Sequence, residues 1–307
     1  MKCYNIIGSD KMKSGFVSLV GRPNVGKSTL LNSLVGYKIA ITSDKAQTTR
    51  NNIQGIYNEE DCQIVFVDTP GIHKPKHKLG KFLNDEAYFS IDDVDIILFL
   101  VDVTEKIGKG DLFVIEKLKK VDKPVFLILN KVDKIQKSML FEIINAYNNI
   151  YSFTEIIPLS ALKNDNISEL IKTLKKYLPD NYKYYPDEDL TNTSLEFRIS
   201  ELVREKILRL TNDEVPHSVT CAVEEFIDKK DKVIVSVVII VERDSLKRII
   251  IGKQGSMLKE IGSKARIDIE EMTGKKVYLN LFVKTINKWR DKEKYLRELG
   301  FYNQIDE

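Results

Sequence analysis

The feature that most constrains the fold is the segment Gly21-Arg-Pro-Asn-Val-Gly-Lys-Ser28, with two glycines and a lysine at fixed spacing. It follows the apolar run Phe16 to Val20 and precedes a helical pattern from Thr29 to Val35. Such a turn aims backbone N–H groups and the positive end of a helix dipole at an anion. We therefore predict a phosphate-binding loop, in which Lys27 contacts phosphates and Ser28 ligates Mg²⁺. A chance glycine turn is the alternative, which the flanking strand and helix disfavour.

Strand-like apolar runs alternate with helical patterns through the first half of the chain. This alternation predicts a mostly parallel sheet flanked by helices, that is, an α/β domain built on the phosphate-binding loop. The runs are Phe16 to Val20, Gln63 to Val67, Ile96 to Val101, Val125 to Leu129 and Ile156 to Leu159.

The pattern changes after a segment rich in turn-forming and acidic residues, from about 178 to 189. A long helix (Leu195 to Leu210), two adjoining strands, a helix from Ser256 and a last strand follow, which predicts an α+β domain. The predicted organisation is an N-terminal extension (1–14), an α/β domain (15–178), a linker (179–194), the α+β domain (195–290) and a C-terminal tail (291–307).

Two further loops supply the chemistry that a nucleotide site needs. Asp68-Thr69-Pro70-Gly71 follows a buried run, so the Asp68 carboxylate can reach a Mg²⁺ ion beside the phosphates. Asn130-Lys131-Val132-Asp133 follows another, and a carboxylate at Asp133 can accept both N1–H and the 2-amino hydrogen of guanine. Adenine would leave that carboxylate facing a lone pair, which costs several kcal/mol, so the loop predicts guanine selectivity.

Smaller signals complete the base site. Asn130 is expected to hold the loop and the Lys131 stem to lie over the purine ring. Ser160-Ala161-Leu162 follows the next strand, and the Ala161 amide is expected to donate to guanine O6.

These motifs, in this order, resemble the translation-factor-like GTPases of the small-G-protein fold, over about residues 15–177. The resemblance implies GTP hydrolysis, GTP or GDP and Mg²⁺ as ligands, and a first switch at Gln47-Thr-Thr-Arg-Asn51, in which Thr49 joins Ser28 and Asp68 around Mg²⁺. Ile72 stands where many relatives carry a water-orienting glutamine, so slow intrinsic hydrolysis is expected. In some relatives the residue at the position of Asn24 ligates K⁺, and we state the same role for Asn24 as a hypothesis.

The residues assigned to the site follow from these matches. Those assigned to catalysis are Lys27, Thr49, Asp68 and Gly71. Those assigned to the nucleotide are Gly21, Arg22, Pro23, Asn24, Val25, Gly26, Lys27, Ser28, Thr29, Asp68, Thr69, Pro70, Gly71, Asn130, Lys131, Val132, Asp133, Ser160, Ala161 and Leu162.

The α+β half carries a second motif, Gly252-Lys253-Gln254-Gly255, between an apolar segment and a helix. Glycines at both ends let a nucleic-acid backbone approach, and Lys253 and Lys259 add positive charge. A plain helix-entry turn is the alternative. The stretch from 243 to 290 has 12 Lys or Arg against 5 Asp or Glu, an excess of seven in a chain of net charge +3, which favours RNA binding.

The whole arrangement resembles the family of Era-type GTPases, which carry a C-terminal KH domain of the prokaryotic type. Further matches are Glu214-Val-Pro-His-Ser218, the segment Lys275 to Lys284, and Trp289. The resemblance implies a monomer that binds single-stranded RNA at the 3′ end of small-subunit (16S) ribosomal RNA during 30S assembly, with peripheral association at the inner membrane.

Two other functions stay open on the sequence. A membrane-surface GTPase would use the basic stretch for anionic lipid. A tRNA-modification GTPase would carry a reactive cysteine near its C-terminus, whereas the last cysteine here is Cys221. The three widely spaced cysteines, and the lack of any apolar run near 20 residues, favour a cytoplasmic protein.

Overall fold

The computed structural model describes residues 7–45, 47–72, 75 and 77–301, without the side chains of 7–11 and 89. Cys3 lies outside the described residues. The chain forms two compact units, each built from three segments. Unit 1 comprises Met1–Ala40, Thr49–Lys74 and Leu83–Asn192, and unit 2 comprises Ile41–Thr48, Pro75–Phe82 and Thr193–Glu307. No helix in the described ranges is long and apolar enough to cross a membrane.

Unit 1 contains a seven-stranded sheet in the order β2-β3-β1-β4-β5-β6, with β7 added beside β1. The strands are β1 (Ile7–Val20), β2 (Ile53–Glu59), β3 (Cys62–Asp68), β4 (Ile96–Asp102), β5 (Val125–Asn130), β6 (Glu155–Leu159) and β7 (Asp180–Lys183). The neighbours β3-β1-β4-β5-β6 are parallel, while β2 and β7 pair antiparallel. The predicted α/β fold with a mostly parallel sheet is confirmed.

The central strands of this sheet are buried along their whole length, because helices cover the sheet. Every residue of β3, β4 and β5 is buried, as their continuous apolar sequences require. The helices in the first 180 residues are α1 (Lys27–Val35), α2 (Lys78–Asp92), α3 (Lys109–Leu118), α4 (Ser138–Asn148) and α5 (Ile167–Tyr177). A 3₁₀ turn spans Val132–Lys134.

The predicted linker 179–194 runs along the unit 1 sheet. β7 pairs with β1 at Met12 and Lys13, inside the predicted N-terminal extension. The buried Gln63 side chain then holds the segment, because its Oε1 accepts from the backbone N–H of Tyr184 at 2.7 Å and of Tyr185 at 3.0 Å. Residues 180–192 therefore form a strap on unit 1.

Unit 2 is built on a three-stranded sheet in the order β10-β9-β8, with β9 and β10 parallel. Its strands are β8 (Thr220–Asp228), β9 (Lys232–Val241) and β10 (Lys276–Thr285). Its helices are α6 (Leu195–Leu210), α7 (Val215–Ser218), α8 (Asp244–Ile251), α9 (Ser256–Thr273) and α10 (Glu293–Glu298), with 3₁₀ turns at Lys253–Gly255 and Trp289–Asp291. The predicted α+β half is confirmed.

The unit 2 core lies between one face of the sheet and helices α6, α8 and α9. Strand β9 contributes Val233, Val235 and Val237, and Ile41 joins the same apolar cluster from the first half of the sequence. Trp289 is wholly buried, and its indole N–H donates to the Ser218 carbonyl at 2.9 Å.

Candidate functional site

The loops that follow β1, β3, β5 and β6 carry the predicted nucleotide residues. Because these strands run parallel in one sheet, their carboxyl ends lie at the same edge of the sheet. β1 lies between β3 and β4, so successive connections leave it in opposite directions. A crevice forms at such a reversal in open α/β sheets, and ligands bind there.

The phosphate-binding loop connects β1 to α1, as predicted. Gly26 has φ +102° immediately before α1, and a Cβ at this position would lie 2.2 Å from Asn130 Nδ2. The amide of Asn130 in turn donates from Nδ2 to the Val25 carbonyl at 2.8 Å. The phosphate loop and the guanine loop are therefore packed directly on each other.

Lys27 is almost fully buried beneath this loop. Its Nζ donates to the carbonyls of Gly21 at 3.2 Å and Arg22 at 3.1 Å, which ties the side chain across the turn. Burial lowers the pKa of Lys27 to about 8, although the Asp68 carboxylate acts in the opposite direction. A phosphate placed beside Nζ would restore the charged form.

That pKa predicts proton uptake when GDP binds to the nucleotide-free, Mg²⁺-free protein. A side chain with a pKa of about 8 is charged in only part of the molecules at these pH values. When GDP binds, Lys27 should therefore take up roughly a quarter of a proton at pH 7.5 and roughly three quarters at pH 8.5. Calorimetry in buffers of different ionisation enthalpy measures this number. In a Lys27→Arg variant the guanidinium is always charged, so the uptake should vanish. An uptake below roughly a tenth of a proton at both pH values would contradict the assignment.

Three side-chain oxygens that can ligate a metal lie close together at the expected Mg²⁺ position. The Ser28 hydroxyl lies 2.6 Å from Asp68 Oδ2 and 2.7 Å from the Thr49 hydroxyl, which is 3.2 Å from the same carboxylate oxygen. Asp68 Oδ1 is buried without a hydrogen-bond partner. Hydroxyl and carboxylate oxygens suit Mg²⁺, and the ion's preference for extra oxygen ligands suits a position beside phosphates. These residues fit the metal.

The Arg22 side chain binds two acidic residues of the protein. Its Nε donates to Asp111 Oδ1 at 2.7 Å and its NH2 lies 3.0 Å from Glu105. Asp111 is wholly buried near the start of α3, and a buried carboxylate needs a cationic partner. Arg22 therefore braces the phosphate loop through its side chain, leaving its backbone for the nucleotide. Sequence reasoning missed Asp111, since nothing local distinguishes it from a surface acid.

The guanine loop is organised around the Asn130 amide oxygen. It accepts from the backbone N–H of Lys131 at 2.8 Å and of Ala161 at 3.0 Å. The Ala161 amide thus meets Asn130, rather than standing free for guanine O6 as expected. The Lys131 ammonium contacts the Asp102 carboxylate and the Asn24 carbonyl, an ion pair that the sequence did not indicate.

Asp133 is held by the loop after β6. The Ser160 hydroxyl donates to Asp133 Oδ1 at 2.5 Å, and Ser160 itself is wholly buried. This contact brings the two sequence-predicted base motifs together. Asp133 as a residue is exposed, so a base can approach its carboxylate.

The remaining assigned residues lie in the same loops, with individual differences. Thr69 is wholly buried and its hydroxyl donates to the Leu19 carbonyl at 2.8 Å, so its side chain faces the sheet. Leu162 is 69% exposed. The others are Pro23, Asn24 and Val25 in the phosphate loop, Thr29 in α1, Pro70 and Gly71 after β3, and Val132 in the 3₁₀ turn.

Ile72 is 2% exposed and packs in the apolar core of unit 1. Its backbone N–H faces the Gly21 carbonyl at 3.4 Å, which ties the Asp68–Gly71 turn to the phosphate loop. An inward-facing isoleucine cannot orient a water molecule. The departure noted in the sequence therefore leaves that task to other groups.

The segment before Thr49 is bound to α6 within unit 2. The wholly buried Glu205 accepts from the Thr42 backbone N–H at 3.0 Å, and the buried Arg204 guanidinium donates to the Thr48 carbonyl. The second segment of this unit is fixed similarly, because Asp291 accepts from the Lys78 backbone N–H at 3.1 Å. No sequence pattern indicated these long-range partners.

The Gly-x-x-Gly motif forms the turn between α8 and α9. Gln254 has φ +52° and Gly255 φ +79°, and Gly255 stands at the N-terminus of α9 without a side chain in front of it. Nothing lies within 4 Å of a Cβ built at Gly255. The N-terminus of this 18-residue helix, with the positive end of its dipole, is thus accessible to a phosphate.

An open groove of about 1160 Å³ runs from this turn between α9 and β10. Gly255 and Lys259, both predicted, lie on its wall. Sequence reasoning missed the basic groups at its far end and the edge of β10. These additional lining residues include Arg266, Lys275, Lys276, Tyr278 and Asn280. The predicted residues Gly252, Lys253 and Gln254 belong to the turn itself. A cationic groove beside an exposed strand edge can hold a single nucleic-acid strand.

Comparison with known proteins assigns both units. A family model described as 50S ribosome-binding GTPase matches residues 16–131, and a KH domain model matches 214–290. GTPase Era of Staphylococcus haemolyticus (strain JCSC1435) is 50% identical over 295 residues, which cover 96% of this chain and 99% of that protein.

Two solved structures are similar over almost the whole chain. A tyrosine-to-alanine variant of Aquifex aeolicus Era, bound to GDP and aluminium fluoride, is 41% identical, with a TM-score of 0.92. Era in complex with MgGDPNP and nucleotides 1506–1542 of 16S ribosomal RNA is 42% identical, also with a TM-score of 0.92. Each alignment covers 95% of this chain and 100% of the other.

Proposed function

Because the chain belongs to the Era family of GTPases, we propose that it is a GTP-controlled switch that binds the single-stranded 3′ end of 16S ribosomal RNA and assists 30S subunit assembly. The single observation that carries this proposal is the cationic groove beside the Gly-x-x-Gly turn, in a chain 42% identical to a relative whose structure contains that RNA.

The GTPase reaction converts GTP and water to GDP and phosphate. Lys27 supplies positive charge at the β- and γ-phosphates, and the backbone N–H groups of the loop at the N-terminus of α1 bind their oxygens. Ser28, Thr49 and Asp68 would hold Mg²⁺, which neutralises charge that develops on the phosphate oxygens. With Ile72 buried, slow intrinsic turnover is expected.

We propose that the chain itself transmits the nucleotide state. Thr49 reaches the metal position in unit 1, while the preceding residue, Thr48, is held by Arg204 in unit 2. Loss of the γ-phosphate would release Thr49, as in other GTPase switches, and would thereby alter the segment that is bound to α6. The release of RNA would follow this change.

The RNA groove is tested best through Gly255. Gly255→Asp introduces a negative charge where phosphates would meet the N-terminus of α9, so affinity for a labelled 12-nucleotide RNA matching the 3′ tail should fall about 10- to 100-fold. Gel shift with a non-hydrolysable GTP analogue measures the loss. Gly252→Asp is less suitable, because its Cβ would lie 2.7 Å from Met257 Cβ.

Gly300→Asp is the matched control. Gly300 also lies in unit 2, has φ +75°, and has nothing within 4 Å of a built Cβ. RNA affinity should be unchanged in this variant, and GTP hydrolysis without RNA should be unchanged in both. Equal RNA binding by Gly255→Asp and wild-type protein would exclude the groove as the RNA site.

The hypothesis of K⁺ at Asn24 remains a proposal. Asn24 is exposed in the phosphate loop with φ +66°, next to the expected phosphate position. A cation there would stabilise transition-state charge as an arginine finger does. Replacing K⁺ with Na⁺ at constant ionic strength should slow hydrolysis, and an unchanged rate would remove this role.

We also propose a cytoplasmic monomer with peripheral association at the inner membrane. The excess of seven positive charges between residues 243 and 290 supports attraction to anionic headgroups. Flotation with anionic vesicles tests the association, and no flotation at low salt would contradict it.

A further inference from the structure

The outer face of the unit 2 sheet carries large exposed side chains outside the GTPase site. On β10, Leu279 and Leu281 pack on the core, so the alternating residues Tyr278, Asn280 and Phe282 lie on the opposite face. Tyr278 is 57% exposed and Phe282 is 55% exposed. Two aromatic rings left in water on one strand indicate a binding surface.

The rings belong to apolar rows that cross the sheet. The register of β10 with β9 places Ile234 beside Tyr278 and Val238 beside Phe282. Strand β8 continues the first row with Ile227, which is 38% exposed. Val238 is only 5% exposed, so the accessible apolar surface is the first row, from Tyr278 to Ile227, together with the Phe282 ring.

Positive charge stands at both ends of this surface. Lys232 Nζ lies 5.7 Å from the centroid of the Tyr278 ring, and Lys284 is exposed at the far end of the same face. In the middle row, the Glu225 carboxylate accepts from the Ser236 hydroxyl at 3.3 Å. Flat aromatic rings with flanking ammonium groups are complementary to bases joined by phosphates.

The surface is continuous with the proposed RNA groove. Tyr278 and Asn280 line the groove where it reaches the edge of β10, and both also belong to the outer face. A Gly-x-x-Gly loop clamps about four nucleotides. A longer strand that leaves the groove over this edge meets Tyr278 first.

We propose that single-stranded RNA continues from the groove over β10 and stacks two bases on Tyr278 and Phe282. This inference rests on the proposed function, since the groove must hold the same strand. The two residues are about 13 Å apart along the strand, so each ring takes its own base. Stacking of this kind accepts any base, because every base has a π-face. The outer face thus adds affinity without base preference, and the RNA sequence is recognised in the groove.

The test compares a 5-nucleotide and a 12-nucleotide RNA from the 3′ tail, both with the full chain and a GTP analogue. In Phe282→Ala, whose ring is not among the groove-lining residues, affinity for the 12-mer should fall roughly 5- to 150-fold, whereas the 5-mer should bind within about twofold of wild type. Tyr278→Ala should weaken binding of the 12-mer by a similar factor, and because Tyr278 also lines the groove it should weaken binding of the 5-mer as well. A Tyr278→Phe/Phe282→Tyr variant keeps both rings and should bind both RNAs as wild type does. Ile267→Ala, at another exposed apolar side chain of unit 2, is the surface control.

The outcomes separate this inference from the proposed function. Wild-type affinity of Phe282→Ala for the 12-mer would overturn the stacking surface and leave the groove intact. Equal loss of both RNAs in Phe282→Ala would also overturn it, since that ring would then act on the groove alone. If wild-type protein binds neither RNA, the proposed function itself fails, and the inference fails with it.

Discussion

Replacing Asp133 with Asn should reverse the base preference of the site from GTP to XTP. The Asp133 carboxylate would accept two guanine hydrogens, whereas an amide can donate to the 2-oxo group of xanthine. A buried mismatch at a hydrogen-bonding site is rejected strongly, so the ratio of GTP to XTP affinity should change by at least about 10³-fold. The Ser160 hydroxyl, 2.5 Å from Oδ1, can orient the amide as it orients the carboxylate.

Equilibrium binding of fluorescent GTP and XTP to both proteins measures the ratio. Asp165→Asn makes the same chemical change nearby on an exposed side chain, and it should leave the preference for GTP unchanged. Retention of the full GTP preference by the Asp133 variant would contradict the base-site assignment, even if the phosphate loop were correct.

Replacing Trp289 with Ala should lower the free energy of unfolding of unit 2 by about 3–5 kcal/mol. The indole is wholly buried, stacks near Phe301 with ring centroids 6.1 Å apart, and satisfies the Ser218 carbonyl. Truncation leaves a large cavity and an unpaired buried acceptor, and both effects destabilise. Urea unfolding followed by circular dichroism measures the loss.

GDP binding provides the contrasting measurement, because the nucleotide loops belong to unit 1. The affinity of the Trp289 variant for GDP should be unchanged under native conditions. Phe282→Ala, at an aromatic residue 55% exposed in the same unit, should change stability by no more than about 0.5 kcal/mol. A loss below about 1 kcal/mol for Trp289→Ala would show that the indole does not hold this part of the chain together.

The sequence predicted the parts of the fold that local chemistry dictates. The spacing from Gly21 to Ser28 and the apolar runs before Asp68, Asn130 and Ser160 placed four loops on strand ends, and parallel pairing brought them together. Helix α6 begins at Leu195 and ends at Leu210, as its pattern indicated.

Long-range pairing escaped prediction, because the residues involved look ordinary in their local context. The strand β7 is only four residues long and pairs with β1 from the other end of the unit. Asp111 and Glu205 look like surface acids in the sequence, yet both are wholly buried through partners far along the chain. Local sequence patterns predict which residues are buried and where the chain turns. These contacts depend instead on which distant segments the complete fold brings together.

The position of Ile41 bears on how the protein can be dissected. Ile41 precedes the first switch in the chain, but its side chain completes the apolar cluster of unit 2. A fragment cut at Thr193 would lack Ile41, and Glu205 would lose the Thr42 amide that it accepts from. Such a fragment should be less stable than the same residues in the full chain. Because unit 2 also takes residues 41–48 and 75–82 from the first half of the chain, cutting at this boundary does not yield two complete structural units.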